Sequence, residues 1–271
     1  MLRDITIGQY FPGNSIIHRL DPRFKIVITV LYIIMLFTGD SMVCLGIGAV
    51  YTIMAMLLSQ VKLKMFLKSV KPLMPFLLIT AVLNLFLVST GDVLWHWKFL
   101  KVTSGGINIS VFMIVRIVLL IMGTSILTYT TSPITLTDAI ERLLSPLKKL
   151  KFPVHELAMM MSIALRFIPT LIEETDKIIS AQKARGAELD TGSFTTRAKN
   201  LISILVPLFT SSFRRADELA TAMECRCYHG GEGRTRLRQL RSAPRDYIAL
   251  AVTLLFLAAV IVIKITKPFA F

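Results

Sequence analysis

Five stretches of this 271-residue chain are apolar over about the length a helix needs to cross a bilayer, and nothing else constrains the fold as strongly. A membrane's hydrocarbon core takes about 20 apolar residues per helix. The runs cover residues 24–38, 42–59, 72–88, 107–130 and 247–263. The first two are short and parted only by Gly39 and Asp40, so they read as a tight helical hairpin. The mean hydropathy of +0.65 fits this placement of apolar residues in blocks. The first 25 residues are polar and punctuated, and no signal peptide is expected from them. The fold class expected is an all-α integral membrane protein with about five transmembrane helices and a helical cytoplasmic domain.

Charge sets the expected orientation. The formal net charge is +14. Nucleic-acid binding is one use for such a balance, but cytoplasmic loops of membrane proteins also collect Lys and Arg. Residues 135–245 hold 18 of the 31 basic residues together with 12 of the 17 acidic ones, a mixed segment that favours the second use. The chain therefore divides into an N-terminal membrane region (1–134), a cytoplasmic domain without a continuous span (135–245) and a C-terminal span (246–271). An inside amino terminus puts Lys62, Lys64, Lys68 and Lys71 in the cytoplasm. The loop with Trp95 and Trp97 then lies outside, where the two rings would anchor at the interface. Lys264 and Lys267 fall on the outer side against the rule.

Within 135–245 three helices are expected. Thr135 or Asp138 can cap the first, and Leu136, Ile140, Leu143, Leu144 and Leu147 recur on one face of it. The second runs from Val154 through Arg185, bends near Pro169 and ends at Gly186. The third runs from about Thr196 to about Arg226, bends near Pro207 and is closed by Gly230-Gly231. The ends of these two longer helices resemble each other. Asp176, Ala181 and Arg185 align with Asp217, Ala222 and Arg226, and Ile178 aligns with Leu219. A cation in a last helical turn suits the helix dipole, and Gly186 suits a left-handed cap. The alternative is functional: each guanidinium forks onto a partner's carboxylate or carbonyls, with small Ala181, Ala184, Gly186 and Ala222 allowing close approach. Two similar plugs suggest two similar sockets.

Ala184-Arg185-Gly186, with Arg226 at the equivalent position, resembles the paired coupling motifs of T components of energy-coupling factor (ECF) transporters. His18-Arg19-Leu20-Asp21-Pro22-Arg23-Phe24-Lys25, Arg166-Phe167-Ile168-Pro169, Ala181-Gln182 and Ala222-Met223-Glu224 fall at matching places, and the resemblance covers essentially the whole chain. Cys225-Arg226-Cys227 departs from the Ala-Arg-Gly or Ala-Arg-Ala usual there, though the arginine is retained. The resemblance implies a non-catalytic scaffold in a bacterial plasma membrane, part of a vitamin or micronutrient importer. It implies two ABC-type ATPase partners that bind the ATP, and a small substrate-binding membrane subunit. Arg185 and Arg226 would be the principal ATPase contacts, with Ala184, Gly186, Glu224, Cys225 and Cys227 shaping the surfaces. Asp21, Arg23, Arg116, Arg166, Pro169, Ala181 and Ala222 are candidates for structural or coupling roles. This chain itself would bind no cofactor, metal or nucleic acid.

Other chemistry is poorly supplied. His155-Glu156 starts like a zinc-protease helix, but Met159 stands where the second histidine would be. No Gly-rich loop with a following Lys is present, and Gly230-Gly231-Glu232-Gly233 reads as a turn. Cys225 and Cys227 lack a second ligand pair for zinc and read as small apolar residues. Met159, Met160 and Met161 read first as filling of a helix interface. Asp138 and Glu141 read as a solvated face. Arg116, inside a span, is either functional or an ion pair that reaches an interface. An intramembrane enzyme or a stand-alone secondary carrier would need convergent ionisable groups in the spans, which carry almost none.

Overall fold

The computed structural model describes residues 10–87, 93–97, 100–150, 152–186, 194–230, 240 and 242–266. Helix α1 spans Pro22–Thr38 and is started by Asp21, whose side chain accepts from Arg23 N–H, with Pro22 in the first turn where its missing N–H costs nothing. Gly39 ends it, and Ser41 caps α2 (Met42–Ser59), giving the expected tight hairpin. Helices α3 (Leu63–Val70) and α4 (Met74–Leu87) are joined by one 3₁₀ turn, Lys71–Leu73. Pro72 and Pro75 explain that turn, since neither can donate to the α-helical ladder. A two-stranded antiparallel hairpin follows, β1 (Val93–Trp97) and β2 (Leu100–Thr103), where the sequence reading placed only a polar loop. The side chains of Trp95 and Trp97 lie outside the described ones. Thr103 then caps α5 (Ser104–Thr130). Beyond it come α6 (Pro133–Leu143), α7 (Val154–Ala184), α8 (Phe194–Glu224) and α9 (Pro244–Thr266).

The chain divides into two compact units: a bundle of residues 8–136 and 240–271, and a second unit comprising residues 137–239 together with residues 1–7. In the bundle α1, α2, α5 and α9 enclose a core that includes Tyr32, Met35, Leu36, Tyr51, Phe112, Leu119 and Val260. Apolar side chains gain little by leaving lipid for a protein interior, so membrane helices associate through close packing and interhelical hydrogen bonds. Both are present. A Cβ at Gly123 would come within 2.2 Å of the Tyr32 ring, so only glycine lets α5 approach α1 here. The Tyr32 hydroxyl donates to Leu119 O at 2.7 Å and lies 2.8 Å from Thr52 Oγ1, while Tyr51 meets Thr253 Oγ1 at 2.9 Å. The outward faces are apolar too: Ile34 and Phe37 on α1, Leu78 and Ile79 on α4, and Leu255 and Val262 on α9 are exposed. Such all-round apolarity belongs to helices that face lipid.

Among the described residues five helical segments are long and apolar enough to cross a membrane: Met42–Ser59, Leu63–Phe86, Ser104–Thr130, Val154–Ala184 and Pro244–Thr266. Four contain runs expected from the sequence. The fifth, α7, lies within 135–245 and qualifies by length and composition alone; its amino-terminal half contains few charges, Glu156 and Arg166 among them. Helix α1, with 17 residues, reaches about 25 Å at 1.5 Å per residue.

Candidate functional site

The second unit is built on α7 and α8, each of 31 residues and each continuing through one internal proline, Pro169 or Pro207. Gln182 Nε2 donates to Ser203 O at 3.2 Å. Eight residues earlier on α7, Glu174 pairs with Arg215 at 2.7 Å and accepts from Ser211, eight residues further along α8 than Ser203. This matched offset makes the pair antiparallel. Ser203 lies 23 residues before Arg226, so the carboxyl ends of α7 and α8 point away from each other, separated by roughly 35 Å along the pair.

The two ends close in the same way. At α7, Arg185 is the capping residue and its N–H bonds Ala181 O (3.2 Å) and Gln182 O (3.1 Å). Gly186 follows in the left-handed region, φ +86°, with its N–H on Lys183 O at 3.0 Å. At α8, Arg226 holds the corresponding position, and Cys227 adopts φ +53° with its N–H on Glu224 O at 2.8 Å. Tyr228 N–H reaches Met223 O at 3.1 Å, completing a Schellman motif. Cys227 therefore performs the turn that glycine performs at the first end, although a side chain in this region costs about 1–2 kcal/mol. Ala181, Ala184, Arg185 and Gly186 at one end are exposed, as are Ala222, Glu224, Cys225, Arg226 and Cys227 at the other. Neither guanidinium makes an ion pair among the described residues. Cys225 and Cys227 are both free, exposed thiols at this helix end.

Two further expectations change in this unit. Glu141 is buried and accepts from or pairs with His155 Nδ1 at 3.1 Å, so it is no part of a solvated face. Met160 and Met161 are exposed and fill no interface in the described chain, and α8 shows an exposed apolar stripe of Ile202, Val206, Phe209 and Phe213. Arg166 and Pro169 are exposed on α7. Gly231 and Gly233 lie outside the described residues.

In the bundle, Asp21 and Arg23 form one knot with residues the sequence reading passed over. Arg23 grips Asp21 through Nε and Nη2, the latter at 2.6 Å, and also reaches Leu240 O. Asp246, 1% exposed, takes Asp21 N–H at 2.9 Å and Ala243 N–H at 2.7 Å, tying α9 to the start of α1. Buried Lys25 donates to Thr130 O, Thr131 Oγ1 and His18 O, adding the end of α5. A carboxylate in the first turn of a span was the only available signal for Asp246. Arg116 lies over the Phe112 ring, 4.4 Å from its centre, and donates to Gly39 O. Asp40 stands 3.9 Å from Arg116 and 2.6 Å from Lys264. Arg116 thus reaches the α1–α2 turn, where Lys264 also has its counter-ion. Among the described residues no three His, Cys, Asp or Glu side chains gather as metal ligands.

Comparison with known proteins places both units in one family. The profile of the Cobalt transport protein family (CbiQ) matches residues 13–237. The energy-coupling factor transporter transmembrane protein EcfT of Clostridium kluyveri is 54% identical over 266 residues, 98% of each chain. The protein of the same name from Ruminiclostridium cellulolyticum is 51% identical over 97% of this chain and 98% of its own, and that of Acidaminococcus fermentans is 53% identical over 95% and 98%. The matched lengths span both the bundle and the antiparallel pair, and the chain belongs to the EcfT family of energy-coupling factor transporter transmembrane proteins.

Proposed function

We propose that this chain is the non-catalytic transmission subunit of an ATP-driven importer, with Arg185 and Arg226 each seated in one of two ABC-type ATPases. One observation carries the reading: two exposed arginines, without an ion pair among the described residues, occupy the same position of the same left-handed cap at opposite ends of an antiparallel helix pair. An arginine at a fixed cap offers a planar, forked guanidinium to a carboxylate or carbonyl cluster, and the fork loses less freedom per hydrogen bond than an ammonium does. A spacing of roughly 35 Å gives each ATPase its own contact, so a change in the distance between the ATPases turns or bends the pair. ATP is held by the ATPases, and this chain binds no cofactor. The exposed stripe of Ile202, Val206, Phe209 and Phe213 suits a small membrane subunit that carries the substrate, since an apolar stripe of that length calls for a cover. The bundle stands in the bacterial plasma membrane, with the amino terminus and residues 135–245 on the cytoplasmic side. In this orientation α7 lies along the cytoplasmic side, and its charged second half, Glu173 to Lys183, is the reason to leave it out of the hydrocarbon.

Gentle purification of the tagged chain from its native host, followed by mass spectrometry of what accompanies it, tests the reading. Two ABC ATPases and one or more small hydrophobic proteins are expected with the native chain. The Arg185→Glu, Arg226→Glu double variant should lose the ATPases and keep its behaviour in detergent. A chain that purifies alone and moves a solute in liposomes overturns the proposal in favour of a secondary carrier.

A further inference from the structure

The bundle contains a slot of about 410 Å³ bounded by α1, α2, α5, α9 and the lead-in segment. Its walls run from Lys25 to Tyr32, Tyr51 to Leu58, Gly123 to Thr130 and Arg245 to Val252, seven residues along each helix. The slot is therefore about 10 Å long and parallel to the helices. Its lining is almost wholly apolar, and the hydroxyls in it are already occupied. Thr29, Thr52 and Thr130 donate to Lys25 O, Gly48 O and Ile126 O within their own helices, and Tyr32 donates to Leu119 O. A water in a cavity needs two to four polar partners, and these walls offer it few. The size falls within the range of small-molecule sites, roughly 300–1,000 Å³.

The two ends of the slot differ. Tyr32, Tyr51 and Gly123 close one end. At the other, Arg245 lines the slot, is exposed, and makes no hydrogen bond or ion pair among the described residues. Lys25 lines the same slot, and both Lys25 and Arg23 lie within electrostatic reach of Asp21 and Asp246. Asp21 is held by Arg23, and Asp246 is buried on two backbone N–H groups, so neither carboxylate neutralises Arg245. An apolar slot along the helices with a free cation at its mouth matches one class of membrane molecule.

We infer that the slot holds the headgroup-proximal part of one acyl chain of an anionic phospholipid, with the phosphate headgroup on Arg245. The lipid fills space that the side chains leave empty between α1, α2, α5 and α9, and it is thereby a structural part of the bundle. A phosphate is matched by arginine through two parallel N–H···O bonds, which a zwitterionic headgroup engages less well because its own cation repels the guanidinium.

The test is native mass spectrometry of the full-length chain in detergent, titrated with phosphatidylglycerol or phosphatidylcholine of the same acyl length, with thermal unfolding alongside. The native chain should keep one phosphatidylglycerol and show a higher Tm with it. Arg245→Ala should lower the preference for phosphatidylglycerol over phosphatidylcholine about fivefold. Ala249→Phe or Ala55→Phe, which place a ring in the slot, should abolish retention of either lipid and the rise in Tm while eluting as the native chain does. Unchanged retention in both filled variants overturns the site. Equal retention of the two lipids by the native chain, or an Arg245→Ala variant with native preference, overturns the headgroup assignment.

Discussion

Asp246 and Arg226 show how differently the two units handle charge. Asp246 is 1% exposed, and both its carboxylate oxygens are bound to backbone N–H groups at the junction of α9 with α1. Arg226 is exposed at the tip of α8 and engages no partner among the described residues. In the bundle every charge that leaves the surface is tied, as Lys25 is on three oxygens, because an unpaired charge away from water is expensive. At the tips of the helix pair charge stays in water, where holding it ready for a partner costs little. Polar residues thus fix the first unit and equip the second. A variant should reveal its unit by whether it moves stability or transport.

Reversing both tip charges separates these most strongly. Arg185→Glu with Arg226→Glu should lower uptake by the reconstituted complex at least about 100-fold, since lost and repelled interface charges cost about 2–5 kcal/mol each. Thermal stability of the isolated chain should stay within about 0.5 kcal/mol. Native uptake by the folded double variant would end the distinction. Asp246→Ala should do the opposite. Two buried N–H groups lose their acceptor, which costs about 3 kcal/mol in unfolding experiments in detergent. If the proposed function holds, its residual folded fraction should support uptake per folded complex equal to that of the unsubstituted chain.

Smaller effects sharpen the comparison. Arg215→Ala removes a half-exposed partner of Glu174 between α7 and α8, and chemical denaturation should register a loss of only about 0.5 kcal/mol. Cys227→Gly should raise stability by at most about 1 kcal/mol, because relief of the left-handed strain is partly offset by a more flexible unfolded chain. Uptake should be unchanged. A marked fall in uptake with Cys227→Gly would show that the thiol is itself part of the contact and would end the equivalence of the two caps.

The likeness of the two helix ends was legible because it rests on local rules. The Asp-Ala-Arg spacing, the glycine after Arg185 and the terminal cation all act within one turn of helix. Arg23 next to Asp21 was legible for the same reason. Their counterpart Asp246 lies 225 residues from Asp21, and no local pattern announces that its carboxylate takes the Asp21 N–H. Glu141 misled in the same way: its neighbours suggest a solvated face, while His155 on the following helix buries it. Arg116 left two readings open until the Gly39–Asp40 turn was found beside it.

By itself the sequence determined the class of molecule, most of the apolar helices and the likeness of the helix ends at Arg185 and Arg226, because these depend on composition, period and cap chemistry. Tertiary structure alone decided that the two arginines point apart, since the direction of α8 against α7 is set by contacts such as Gln182 to Ser203 and Glu174 to Arg215. It alone decided that Cys227 can replace a glycine, that Gly123 admits Tyr32, and that a slot remains among four helices. The physical reason is common to all: backbone preference acts over a few residues, whereas packing and long-range hydrogen bonds join segments whose separation in the chain holds no record of the contact.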